Sequence, residues 1–182
     1  NPWNRSHTPG GSSSGSAVGV AAGIFPAALG SQTAGSVLRP ASYNGVVGMK
    51  PTYGRISRYG VLPVAWSLDT VGFFTHTVGD CGILLDVLAG NDSNDPTSSS
   101  EKCGAYSVAA KRPVVPRIGI IPEFFKDRID SEIQINFSTT VDKLSTAGAD
   151  FTEITPNVKL ELLLEAHRTI MSVEAASVHK AN

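Results

Sequence analysis

The sequence predicts an α/β fold in which helices cover both faces of a β-sheet. Short apolar runs typical of buried strands alternate along the chain with segments of helical periodicity. The runs are nearly continuous in apolar residues, as is typical of strands packed on both sides. The chain has 182 residues, of which 41% are hydrophobic and 17% charged. This composition is that of a soluble globular protein, and the length allows one domain with a substantial core.

The first elements are built from small residues. In chain order they are a helix over 13–23, a strand over 27–31, a short helix opening at Gly35 and Ser36, and a strand over 46–50. Gly15, Gly19 and Gly23 recur every four residues. This spacing puts all three on one helical face, where we expect a neighbouring backbone to approach closely.

A capping box marks the start of the next helix. Asp80 stands at the third helical position after Thr77 and can accept a hydrogen bond from the Thr77 N–H. Gly90 is placed to end this helix. The remaining elements are a polar loop over 91–100, a strand over 117–121, a helix through 133–144 ended by Gly148, a strand over 151–154 and a long helix over 159–179.

Charge and cysteine content exclude several classes of function. A net charge of −1 gives no electrostatic reason to expect nucleic acid or an anionic membrane as a partner. Cys81 and Cys103 lack the spacing of a zinc site, and two thiols fit a reducing cytoplasm. The most apolar stretch, residues 17–29, is too short for a membrane span and is interrupted by glycine and proline. We expect no metal and no cofactor.

Residues 30–36, Gly-Ser-Gln-Thr-Ala-Gly-Ser, form a small-residue turn that ends on Ser36. Free backbone N–H groups at such a turn, before a helix, stabilise negative charge. An oxyanion in acyl transfer is stabilised in this way, so Ser36 is a candidate nucleophile if a base removes its proton. The alternative is that Ser36 only caps the helix.

A second serine loop, residues 10–15, reads Gly-Gly-Ser-Ser-Ser-Gly and contains Ser12. Alone, this run is equally typical of a flexible linker or an anion cradle. No Gly-Lys-Ser/Thr follows it, so it is not a Walker loop. Its glycines also lack the spacing of a dinucleotide-binding loop.

The two loops together resemble the amidase-signature family, in which a GGSSGG-like loop is followed by a G-S/T-D/Q-x-G/A-G-S loop. Here Ser36 stands 24 positions after Ser12. Other matching segments, in the same order, are residues 1–3 (Asn-Pro-Trp), 39–41 (Arg-Pro-Ala), 46–55 (VVGMKPTYGR) and 67–72 (SLDTVG). The similarity is strong over residues 1–90 and looser over 115–182, where segments 117–119 and 167–171 carry it.

The resemblance implies a mixed β-sheet between helical layers and a role for each loop residue. Ser36 would be the acyl-accepting nucleophile, and Ser12, after a cis Gly11–Ser12 peptide, would relay its proton. The backbone N–H groups of Thr33, Ala34, Gly35 and Ser36 would form the oxyanion hole, with Ser13 in support. Two departures stand out: Ala34 replaces a commoner glycine, and Arg39 lies three residues after the nucleophile, where many members have arginine at two.

The third member of the family's triad is a lysine that deprotonates Ser12. In the family it lies well before the first loop, whereas only eleven residues precede Ser12 here and none is lysine. Lys50 matches a different, non-catalytic family position and is interpreted as a lysine at the end of a strand. We therefore expect residues 1–182 to be a core fragment of the amidase-signature fold, without the lysine-bearing and C-terminal regions, and inactive alone.

The resemblance implies hydrolysis of a small-molecule amide. Within the family, an alternative is the subunit of a tRNA-dependent amidotransferase that releases ammonia from glutamine, with partner subunits. From another class, the missing lysine favours a catalytically silent fragment or binding module. Homo-oligomerisation is also left open.

Other polar residues have structural interpretations. His76 precedes a helix cap and is expected at the surface. His167 and Glu174 fall seven apart on one stripe of the last helix, where hydrogen-bonded structural roles are more typical than a place in the substrate cleft. Asp69 is expected to orient nearby backbone. Tyr59 and Trp66 are assigned to packing or surface positions.

Overall fold

The computed structural model describes residues 1–112, 114–125 and 127–180, with only the backbone of residues 123 and 124. These residues form two compact units. The first contains residues 1–112 and the C-terminal helical residues from His167 onward, and the second contains residues 114–166.

The helices and strands, named in chain order, are α1 Ser14–Ala21, β1 Ala27–Gln32, α2 Leu38–Asn44, β2 Val47–Met49, β3 Thr70–Thr75, α3 Val78–Leu88, α4 Tyr106–Ala109, β4 Arg117–Ile120, α5 Pro122–Phe125, α6 Ser131–Thr146, β5 Asp150–Glu153 and α7 Leu160–Lys180. Among the described residues, no helix combines the length and the apolar character required to cross a bilayer.

Strand β3 is the centre of the sheet in the first unit. The three strands are antiparallel and ordered β1-β3-β2, with Gly30 opposite Gly72 and Val47 opposite Thr75. Sequence patterns predict both neighbours of β3 but not β3 itself. All residues of β3 except Val71 are buried, so the strand holds the sheet together from the inside.

Two adjacent phenylalanines of β3 join the sheet to helices on its two faces. Successive strand residues point to opposite faces, and Phe73 and Phe74 are both fully buried. Phe74 belongs to a cluster with Ala17, Val20, Val37 and Ala41. Phe73 belongs to a second cluster with Ile56, Cys81 and Leu85. Helices α1 and α2 therefore lie on one face and α3 on the other, which confirms the predicted covered sheet.

Close approach, rather than a turn, requires glycine at the paired positions Gly30 and Gly72. A Cβ atom at Gly72 would overlap the carbonyl oxygen of Met49. A Cβ atom at Gly30 would lie 2.8 Å from Ser13 Oγ, nearer than real Cβ atoms come. The sheet is therefore tight where β1 passes the first serine loop.

The prediction that a neighbouring backbone packs against the glycine face of α1 is wrong. A Cβ atom at Gly19 would lie 2.5 Å from the ring of Phe25, so a side chain and not a backbone packs there. Gly15 faces open space. Gly23 lies beyond the end of the helix with a φ of 70°, where it turns the chain toward β1.

The capping box of α3 is confirmed. The Thr77 side chain accepts a hydrogen bond from the Asp80 N–H at 3.1 Å, and the Asp80 carboxylate accepts one from the Thr77 N–H at 3.2 Å. This local exchange satisfies two N–H groups that a helix start leaves free.

The second unit contains a parallel pair of strands and helix α6. Arg117 of β4 pairs with Asp150 of β5, and the Asp130 carboxylate caps α6 by accepting from the Ile133 N–H at 2.8 Å. Apolar residues of α6, among them Ile133, Phe137, Val141 and Leu144, line a cavity of about 940 Å³ together with residues of β4 and β5. The fold is α/β, as predicted, with the antiparallel and the parallel strand pairs in two separate small sheets.

Candidate active site

Helix α2 holds the first serine loop in place. The Gly11–Ser12 peptide is cis, which confirms the prediction from the family resemblance. The guanidinium of Arg39 donates two hydrogen bonds to the carbonyl oxygen of Gly11, from Nε at 3.1 Å and from Nη2 at 2.7 Å. The buried Asn44 Nδ2 donates to the Pro9 carbonyl oxygen at 2.8 Å. The backbone on the N-terminal side of Ser12 is thus anchored at two points.

The second loop is organised by Gln32, the last residue of β1. Its buried Oε1 accepts hydrogen bonds from the N–H groups of Val37 and Leu38, each at 2.9 Å. Helix α2 begins at Leu38, two residues later than predicted. Its N-cap residue is Val37, whose side chain makes no capping hydrogen bond. The alternative interpretation of Ser36 as a capping serine is therefore wrong, because Gln32 performs that role.

Thr33 is fixed at both its side chain and its carbonyl. Its hydroxyl donates a short hydrogen bond to the Asp69 carboxylate, whose other oxygen accepts from the N–H groups of Val64 and Ala65 at 2.7 and 3.0 Å. His167 Nε2 donates to the Thr33 carbonyl oxygen at 3.0 Å. Asp69 thus orients backbone, as predicted.

The two serine loops meet through Ser13. Its N–H donates to the carbonyl oxygen of Ser36 at 3.2 Å. Its hydroxyl donates to the Ser31 carbonyl oxygen and accepts from the Ser31 N–H, both at 3.2 Å. Ser13 therefore joins both loops to β1, a support that is structural and does not involve the hydroxyls of Ser12 and Ser36.

The hydroxyls of Ser12 and Ser36 have no hydrogen-bond partner among the described residues, and the N–H groups of Ala34, Gly35 and Ser36 have no acceptor there. The direct Ser12–Ser36 hydroxyl bond expected for a proton relay is therefore not formed in this structure. Catalytic hydrogen bonds often tighten only when substrate binds. Ser12 is exposed and Ser36 half-buried, so both hydroxyls can be reached by a substrate or a base.

Arg58 supports the segment that carries Asp69, a role that no motif in the sequence indicates. Its guanidinium donates to the Asp69 carbonyl oxygen at 3.1 Å and to the hydroxyls of Tyr53 and Thr97 at 2.7 Å each. Asp95 accepts the Arg58 N–H at 2.8 Å. Burial alone would raise the pKa of Asp95, but hydrogen bonds from Thr97 and Arg58 outweigh it and hold that pKa below its usual value.

The other polar candidates have the structural roles that were predicted. Glu174 is buried and accepts from the N–H and the hydroxyl of Ser67, at 3.0 and 2.6 Å. Lys50 follows β2 directly, and its Nζ donates to the Pro51 carbonyl oxygen at 2.8 Å. His76 is exposed. Within the described ranges, His, Cys, Asp and Glu side chains form no group of three that could hold a metal ion.

The amidase family model matches residues 1–182, and the chain belongs to this family. The glutamyl-tRNA(Gln) amidotransferase A-subunit of Persephonella marina is 43% identical over 179 residues, which cover 97% of this chain and 36% of that protein.

Two solved structures have the same fold as this chain. The crystal structure of the glutamyl-tRNA(Gln) amidotransferase A-subunit of Thermotoga maritima gives a TM-score of 0.87 at 36% identity, covering 97% of this chain and 39% of that one. The native peptide amidase of Stenotrophomonas maltophilia gives 0.81 at 37% identity, covering 96% and 36%. The chain thus spans 36–39% of the length of these three proteins.

Proposed function

We propose that the protein hydrolyses carbon–nitrogen bonds of amides through an acyl-enzyme on Ser36, with Ser12 as proton relay. The observation that carries this proposal is the second loop. Within four residues it holds a hydroxyl and several N–H groups that have no hydrogen-bond partner in the described part of the chain. Membership of the amidase family supports the same reaction. The contact between Ser13 and Ser36 supports a shared site for the two loops.

In the proposed acylation step, Ser36 Oγ attacks the carbonyl carbon of the amide. The Ser36 proton passes to Ser12 Oγ while the Ser12 proton passes to a base. The N–H groups of Thr33, Ala34, Gly35 and Ser36 stabilise the oxyanion that forms on the substrate carbonyl, often the largest electrostatic contribution in acyl transfer. The carbon–nitrogen bond then breaks, and the nitrogen takes a proton back through Ser12 and leaves as ammonia or an amine.

Deacylation reverses these proton movements with water as the nucleophile. Water attacks the ester carbonyl of acyl-Ser36, loses a proton through Ser12 to the base, and the carboxylic acid leaves as Ser36 regains its proton. The base is the lysine implied by the family resemblance. Among the described residues, Lys50 Nζ makes no hydrogen bond to Ser12 and donates instead to the neighbouring Pro51 carbonyl.

The acyl-enzyme can be trapped. We expect the full-length protein, given a reactive anilide and hydroxylamine, to release aniline and to form the hydroxamate of the acyl group, because hydroxylamine competes with water for acyl-Ser36. The Ser42→Ala variant, which changes an exposed serine on α2, serves as the control and should form the hydroxamate as the native protein does. Aniline release with no hydroxamate would point to direct attack by water and contradict the acyl-enzyme.

A second candidate function is the glutamine-hydrolysing subunit of a tRNA-dependent amidotransferase. It is favoured by the 43% identity to a relative with that name over 97% of the chain. In this case ammonia release from glutamine should rise when the partner subunits of such a complex are added, and asparagine, one methylene shorter, should be a poor substrate. Turnover of small amides without partners and without preference for glutamine favours the simple amidase.

A catalytically silent binding module is the remaining alternative. It predicts that neither anilide nor glutamine is turned over by the full-length protein.

We retain the cytoplasm as the proposed location, because Cys81 and Cys103 are both free thiols and unpaired thiols are typical of reducing compartments. Burial raises the pKa of the Cys81 thiol, so this cysteine is unreactive and belongs to the core.

A further inference from the structure

We propose that His167 is a positioning residue for the oxyanion hole: it fixes the Thr33–Ala34 peptide so that the Ala34 N–H faces the substrate oxygen. This inference rests on the proposed function of Ser36. It assigns a role in the reaction to a histidine that lies 134 positions away from the loop it contacts.

The contact has one chemical interpretation. The Thr33 carbonyl oxygen can only accept, so Nε2 of His167 carries the proton and donates it at 3.0 Å. While the contact lasts, that nitrogen is a donor and is unavailable to take a proton from Ser36. His167 belongs to the part of α7 that lies in the first compact unit. The donor is therefore held by a regular helix and not by a loop.

The direction of the peptide explains why this contact matters. In a planar trans peptide the C=O and the following N–H point in opposite directions. Gly11–Ser12 is the cis peptide of the described chain, and Thr33–Ala34 is trans. Holding the Thr33 oxygen toward His167 therefore turns the Ala34 N–H to the opposite side, away from α7. A hydrogen bond on the carbonyl also polarises the peptide and strengthens its N–H as a donor.

A single anchor on Thr33 would not be sufficient. The bond between its hydroxyl and Asp69 fixes the side chain but leaves the peptide that follows free to rotate about the adjoining backbone bonds. The second bond, from His167, removes this freedom. An oxyanion donor stabilises the transition state most when it is oriented in advance, because no reorganisation is then needed during the reaction.

The test compares two variants of equal length at this position in the full-length protein. His167→Gln retains a terminal N–H donor, whereas His167→Met has a similar shape and helix propensity without one. We expect the Met variant to lower kcat roughly 10- to 100-fold with KM within about twofold, since misorienting one oxyanion donor costs less than removing it. The Gln variant should recover most of that loss. His179→Met, an exposed histidine near the end of α7, should match the native protein.

Each other outcome decides against the inference. Native kcat in a folded Met variant, equal losses in the Gln and Met variants, or a raised KM at constant kcat would each show that the donated hydrogen bond does not act in the transition state. If the Met variant does not fold, a folded but inactive Gln variant overturns the inference and an active one supports it. Failure of the proposed function is detected separately, because Ser36→Ala would then retain activity.

Discussion

Replacing Ser36 by alanine is expected to lower kcat by roughly 10⁴- to 10⁶-fold, the range seen when single members of a catalytic triad are removed. The substitution removes the atom that forms the acyl bond. It leaves the fold intact, since Gln32 and not Ser36 caps α2 and the Ser36 hydroxyl has no partner among the described residues. Initial rates on a reactive anilide, with the thermal unfolding midpoint measured in parallel, separate the loss of chemistry from a loss of stability.

The matched control for this variant is Ser42→Ala, the same substitution at an exposed position of the helix that follows the loop. It should keep native kcat and KM. Activity of Ser36→Ala within tenfold of native would place the nucleophile elsewhere and remove the central residue from the proposed mechanism. A residual rate well above that in water is compatible with the proposal, because the oxyanion hole and substrate binding still act.

Local patterns predicted the parts of the fold that local interactions determine. The capping box of α3 uses Thr77 and Asp80, three residues apart, and both of its hydrogen bonds are present. Helix α6 also follows from helical spacing, because its apolar residues recur three or four positions apart. The hydrogen bonds of such elements join residues within about one helical turn, so neighbouring residues in the sequence are enough to predict them.

Strand β3 carries no local pattern that predicts it. Its residues, Thr-Val-Gly-Phe-Phe-Thr, are buried on both faces, so no alternation of apolar and polar residues marks the strand. Gly72 in its middle lowers strand propensity, yet it is required because Met49 passes where a Cβ atom would lie. The reason for that glycine is a neighbouring strand more than twenty positions away. The β-branched and aromatic content of the run was the available signal.

The same distinction applies to the candidate site. The family resemblance pointed to Ser12 and Ser36 and implied the cis peptide, all of which lie within short loops. The groups that hold those loops come from far along the chain: Arg39 contacts Gly11 across 28 positions, and His167 contacts Thr33 across 134. Arg39 was noted only as a departure from the family spacing. Its two hydrogen bonds to the Gly11 carbonyl show that its position matches the loop it anchors.

Replacing Ser12 by alanine should lower kcat by roughly 10²- to 10⁴-fold, the usual contribution of general acid–base catalysis. The loss is smaller than for Ser36 because a water molecule can take the place of the missing hydroxyl and carry the proton. The Gly11 carbonyl remains held by Arg39, so the backbone around the substitution keeps its anchor. The same anilide assay measures the effect.

A double variant tests whether Ser12 acts through Ser36. This test is needed because the two hydroxyls are not hydrogen-bonded to each other in this structure. If Ser12 acts only by moving the Ser36 proton, it has no role once Ser36 is gone. Ser12→Ala combined with Ser36→Ala should then be no slower than Ser36→Ala alone, as for residues that act as one unit. Losses that multiply would show that Ser12 acts independently, for example by contacting the substrate, and would exclude the relay. Additive free energies are the rule for sites that do not interact, so coupling between the two serines would itself show that they work together when substrate is bound.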